Sequence, residues 1–153
     1  MEYDQTQARI ALQKAIEQTF EEMAFIDAEL LPEPVSDDLD EDAYYSRISI
    51  LKPFKAEITL KVPPGCAMLF AESLYANFEA VITDEIQRDV LAESLNTIAG
   101  CFMKNYLTDD EGYELCLPQT GIGLVQIDDN PRVKLEFDIL GETLSASLFI
   151  AKD

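Results

Sequence analysis

The sequence contains no histidine. That removes the commonest general base, the Ser/His and Cys/His pairings of nucleophilic catalysis and the usual transition-metal ligand. Any chemistry therefore falls to carboxylates, amides, hydroxyls or groups that a partner supplies. Basic residues are scarce as well: eleven Lys and Arg stand against thirty Asp and Glu, a net charge of -19. Such a chain repels phosphate backbones and anionic lipid headgroups alike, which argues against nucleic-acid and membrane partners. The three cysteines, Cys66, Cys101 and Cys116, are far apart and form no C-x-x-C pair. They indicate neither a zinc site nor a disulfide framework and read as small buried apolar residues in a reducing compartment. No apolar run approaches bilayer length, and Met1-Glu-Tyr-Asp-Gln5 has neither the basic nor the apolar region of a signal peptide, so the expected location is cytoplasmic.

What is present fits one domain. The chain has 153 residues, 48% of them hydrophobic, enough to bury a core without disulfides or a structural metal. Between Asp27 and Asp42 stand eight acidic residues and no basic one, with Pro32 and Pro34 among them. This stretch reads as a solvated acidic loop at about residues 28–43, and its spacing matches no calcium-binding loop. Before it, Ile10, Leu12, Ile16, Phe20, Met23 and Ala24 fall close to helical spacing and predict a first long helix over 5–27. Tyr45 to Leu51 and Ala56 to Val62 read as strands. Pro63-Pro64-Gly65 reads as the turn of a central hairpin leading into a further strand, Cys66 to Phe70, and Ser73 to Phe78 as a short helix. Thr83 is a good N-cap for a second long helix reaching about Tyr106, with Asp84 and Glu85 at the positive end of its dipole. Four short strands follow, over 113–117, 122–127, 133–139 and 144–150, with turns at Asp128 to Pro131 and Leu140-Gly141-Glu142. The order predicts an α+β domain, two long helices layered on a largely antiparallel sheet with hairpin connections.

The second long helix carries the pattern of most interest. At about 100° per residue, Glu93, Asn96 and Gly100 lie within roughly 40° of Asp89, while Leu91, Leu95, Ile98 and Phe102 cluster on the other side. A carboxylate and a carboxamide one turn apart thus project to one patch, and Gly100 leaves space beside them for another molecule's backbone to approach. An ordinary solvated helix face also presents Glu and Asn. Asn is nevertheless a mediocre helix former, and an exposed one at mid-helix has no packing return. Asp89 either braces the stripe or is simply solvated. Gly121-Ile-Gly123 is too short for a phosphate loop and reads as a strand entry.

The run Asp89, Glu93, Asn96, Gly100 resembles the D-x-x-x-E-x-x-N-x-x-x-G helix of the CheC/CheX/FliY chemotaxis phosphatases. Glu114-Leu-Cys-Leu-Pro118 is similar to the strand ending in proline that follows that helix in the family. Phe20-Glu-Glu-Met23 resembles the first helix of CheX-like chains, and Val62 to Leu69 falls where their central hairpin turns. The single copy of the motif favours a CheX-like chain over the two-site CheC arrangement. Two features depart from the pattern: Cys101 stands where an asparagine is common, and the interval from Asn96 to Pro118 is slightly short.

The resemblance implies a single CheX-like domain over 1–153. It also implies a phosphatase that hydrolyses the aspartyl-phosphate of a CheY-like receiver domain, with Glu93 and Asn96 catalytic and Asp89, Gly100 and Pro118 supporting. Mg²⁺ is expected on the receiver and no cofactor or metal on this chain, and a homodimer formed through sheet edges is implied. The alternative is a CheX-like module that docks a receiver or a flagellar switch protein without catalysis. A carboxylate enzyme using Asp89 and Glu93 as an acid–base pair is a third reading, which nothing in the sequence supports by burying either group.

Overall fold

A seven-stranded sheet turns its apolar residues to one side, where helices cover them, and its polar residues to the other. The computed structural model describes residues 4–33, 42–75, 81–107, 112–123 and 133–151. In chain order the elements are α1 (Gln5–Ala24), β1 (Glu29–Leu30), β2 (Tyr44–Lys52), β3 (Ala56–Val62), α2 (Pro64–Leu74), α3 (Asp84–Tyr106), β4 (Glu114–Leu115), β5 (Gln119–Ile122), β6 (Val133–Ile139) and β7 (Glu142–Ile150). All strand pairs are antiparallel, in the order β1-β6-β7-β3-β2-β4, with β5 also paired to β2. This is the α+β layering expected from the sequence.

Register puts Ile48, Ile58 and Leu148 in one row across the sheet, and Leu60, Ala146 and Leu135 in another. All are fully buried beneath the helices. The intervening positions, among them Arg47, Glu57, Thr59 and Ser147, form the opposite face, where Arg47 Nε lies 3.1 Å from Glu57 Oε1. Helix α1 begins at Asp4, whose carboxylate accepts from the Thr6 and Gln7 amides, and ends at Phe25 in the left-handed region (φ 56°). Its packing on α3 is the most extensive contact between helices.

Two expectations need correction. Pro63-Pro64-Gly65 is not a hairpin turn, and Cys66 to Phe70 is not a strand: Pro64 is the first residue of α2, where a missing N–H and a fixed φ favour a helix start. Cys66, Ala67, Phe70 and Ala71 then fall on one buried helical face, and Phe70 packs on Phe20 with ring centroids 4.8 Å apart. A run this short and apolar satisfies both periods, and a proline pair before it fits a turn or a helix start equally well, so packing decides. The central hairpin exists, but it joins β2 to β3 through Pro53–Lys55. The short helix expected over Ser73 to Phe78 is in fact the end of α2, with residues 76–80 outside those described. Half of the acidic loop (34–41), part of the strand expected over 122–127 and the turn at 128–131 also lie outside the described residues.

The cysteines are the second correction. Only Cys66 is buried; Cys101 is half-buried and Cys116 is exposed. Cys116 lies opposite Ser49, on the face of the sheet away from the helices. Burial, and secondarily the charge of Glu142, pushes the Cys66 thiol up to about 12 from 9.0. In the folded protein at pH 8, a thiol reagent should label Cys116 rapidly and leave Cys66 unmodified until denaturant is added. Equal labelling of both in the native state would contradict this packing.

Candidate functional site

Helix α3 is held by both its ends and its buried side. The Thr83 hydroxyl accepts from the Ile86 amide at 3.1 Å, Asp84 and Glu85 occupy the first turn, and Lys104 stands in the last. Val90, Leu91, Leu95, Ile98, Ala99, Phe102 and Met103 are buried. Two hydrogen bonds fix the helix against β2: Tyr44 Oη donates to Asp84 Oδ1 at 2.6 Å, and Ser46 Oγ reaches the Leu91 carbonyl at 3.5 Å. Strand and helix therefore run in the same direction.

The buried side forces Asp89, Glu93 and Asn96 into solvent, with Gly100 half-exposed beside them. Among the described residues, the side chains of these three make no hydrogen bond or ion pair. The structure thus brings Asp89, Glu93, Asn96 and Gly100 together on one stripe. Cys101 points off it: its thiol lies 3.0 Å from Gln18 Oε1 on α1, and burial together with the nearby Glu22 raises its pKa. The departure from the family's asparagine therefore falls outside the stripe. Arg88 is also turned away, with Nε 2.9 Å from Asp84 Oδ2 but not aligned for a hydrogen bond.

Pro118 lies in the link between β4 and β5, both of which pair with β2. Leu115 pairs with Ile50, the Cys116 amide donates to the Ser49 carbonyl at 2.9 Å, and Gln119 pairs with Arg47. Leu117 and Pro118 are thus left opposite the single residue Ile48, which makes a β-bulge. Two strand residues rise about as far as four or five helix residues. Counting from Ser46 and Leu91, this puts the bulge level with Leu95 and Asn96. The bulge turns Leu117 out to 88% exposure.

Nearer Gly100 stands Tyr113, a side chain 38% exposed. A Cβ built on Gly100 would come within 3.3 Å of the Tyr113 hydroxyl. The space above this glycine is therefore partly taken by the chain's own tyrosine. Sequence reading missed both Tyr113 and Leu117. A proline inside a strand pattern does signal an edge or a bulge, so Pro118 carried a hint of the second, whereas nothing local marked the first. Among the described residues, no cluster of three or more carboxylates or cysteines is placed to hold a metal ion, and no helix is long and apolar enough to cross a membrane.

The Tyr44–Asp84 contact has a consequence at alkaline pH. Burial first, then the hydrogen bond to Asp84 and its charge, raises the Tyr44 pKa above 10.0. A raised folded-state value means that the native protein holds this proton more tightly than the unfolded chain. The contribution is complete below pH 10 and is lost as pH rises through the folded value. Tyr44→Phe should accordingly flatten the fall in stability above pH 10, measured by urea denaturation across that range. Identical slopes in the two proteins would contradict the assignment.

No protein-family model matches this sequence, and no curated protein sequence is similar to it. Solved structures are similar in fold. Chemotaxis protein CheX from Desulfovibrio desulfuricans superposes with a TM-score of 0.79 at 13% identity, over 94% of this chain and 99% of that one. CheX from Vibrio vulnificus gives 0.79 at 9% identity, over 98% and 100%. The CheX–CheY–BeF3–Mg²⁺ complex from Borrelia burgdorferi gives 0.68 at 17% identity, over 94% and 97%. From end to end, this chain has the fold of the CheX and CheC-like chemotaxis proteins.

Proposed function

We propose that this chain is a phosphatase for the aspartyl-phosphate of a CheY-like receiver domain. The observation that carries the reading is the exposed, uncommitted pair Glu93 and Asn96 on a helix whose other side is locked into the core. A similar fold in complex with CheY is known from Borrelia burgdorferi, which supports a receiver as partner. In this reading α3 inserts into the receiver's phosphorylation site, and the receiver supplies the phosphorylated aspartate, a lysine and the bound Mg²⁺.

Asn96 orients a water in line with the phosphorus. A neutral carboxamide suits that task because it can accept and donate hydrogen bonds without adding negative charge beside the phosphoryl oxygens. Glu93 pairs with the receiver lysine and sets the register. Asp89 and Glu93 lie in water and not in an apolar pocket, an arrangement that favours positioning over carboxylate acid–base catalysis. The reaction needs no covalent intermediate on this protein, which is consistent with the absence of histidine. A homodimer joined through sheet edges is part of the same reading.

The test is phosphate release from an acyl-phosphate-charged, Mg²⁺-loaded receiver. The wild-type protein should accelerate it, and Asn96→Ala should lose on the order of 10²-fold in rate while still binding. Glu93→Ala should weaken both rate and binding. Full activity in either variant would overturn the assignment. Binding without acceleration across several receivers would point to a non-catalytic docking module.

A further inference from the structure

Resting on the phosphatase reading, we propose that Tyr113 is a receiver-binding residue, its hydroxyl standing where Gly100 would otherwise leave a gap. That hydroxyl lies 3.3 Å from a Cβ built on Gly100, and apart from chain neighbours and the helix's own backbone nothing else comes within 4 Å of the same point. Gly100 follows Asn96 by four residues, one turn of α3 and about 6 Å along its axis. The stripe is therefore open to a partner at Asp89, Glu93 and Asn96, and at its fourth position a partner meets a tyrosine hydroxyl.

Two observations make this hydroxyl a candidate contact. The Tyr113 side chain is 38% exposed, and among the described residues it makes no hydrogen bond. Its backbone is nevertheless anchored, because the next two residues pair with β2, Glu114 with Lys52 and Leu115 with Ile50. Pairing the hydroxyl with a partner thus breaks no bond within the chain. A phenol is also a neutral donor. A receiver's phosphorylation site is acidic, and at a net charge of -19 further carboxylates would be repelled from its rim, whereas a neutral hydroxyl is not. The group that fits is an oxygen acceptor of the receiver, beside its phosphorylation site on the side facing the C-terminal end of α3. Tyr113 touches no reacting atom in this arrangement, so it strengthens the complex and leaves the rate within it unchanged.

Tyr113→Phe keeps the ring and removes the hydroxyl. The experiment titrates a Mg²⁺-loaded, beryllofluoride-activated receiver with the wild-type protein and with this variant, alongside steady-state dephosphorylation of the charged receiver. Kd and KM should rise about threefold to tenfold, the worth of one ordinary hydrogen bond, with kcat unchanged. Gly100→Ala alone crowds the hydroxyl and should weaken binding; added to Tyr113→Phe it should cost little more. Equal affinity of the wild type and Tyr113→Phe, or a lower kcat at unchanged Kd, would overturn the role of Tyr113 while the phosphatase reading stands. So would a Gly100→Ala cost that is the same in both backgrounds, since the receiver's backbone and not the tyrosine would then occupy that space. If the wild-type protein neither binds the receiver nor accelerates its dephosphorylation, the phosphatase reading falls and this role falls with it.

Discussion

The structure depends on one division of α3. Leu91, Leu95, Ile98 and Phe102 are sealed against the rest of the core, each worth roughly 1.5–3 kcal/mol of burial. Rotating the helix to hide Glu93 and Asn96 would expose that apolar surface and strip two polar groups of water, so both penalties oppose it. The direction in which the carboxylate and carboxamide point is therefore set by packing. The backbone that carries the pair is held in place, so that only the two side chains' rotamers remain to be ordered when a partner is met.

Elements outside the helix complete the surface. Tyr44 ties the start of β2 to the first turn of α3 through Asp84; the strand register puts Leu117 and Pro118 about level with Asn96 along α3, and the Tyr113 hydroxyl comes within 3.3 Å of a Cβ built on Gly100. At a net charge of -19, the chain gains no long-range attraction toward a receiver's acidic phosphorylation site. In the proposed reading, recognition rests on close contacts such as Glu93 with a lysine, and Arg88 adds no basic patch, because it is engaged by Asp84.

Helix α3 was legible in the sequence because its cap, its period and its charge placement agree, and they put its start at Asp84. Strands β2, β3, β6 and β7 were legible for the same reason, since alternation and turns coincide. Helix α2 was not: Pro63-Pro64 serves a turn or a helix start equally well, and only packing of Phe70 on Phe20 separates them. The stripe could be read from spacing, but Tyr113 could not. Its approach to Gly100 depends on how β4 lies against β2, a long-range register that no local pattern encodes. The exposure of Cys116 likewise depends on a tertiary feature, its pairing opposite Ser49 on the face of the sheet away from the helices.

The most direct test of the central claim replaces the receiver's Mg²⁺ with paramagnetic Mn²⁺, holds it in a beryllofluoride-activated state and follows the amide resonances of this chain in the complex. If α3 enters the phosphorylation site, line broadening is expected to centre on Glu93, Asn96 and Gly100, with Tyr113 and Leu117 at its margin. Broadening centred on another face, or a complex in which α3 is unaffected, would contradict the account.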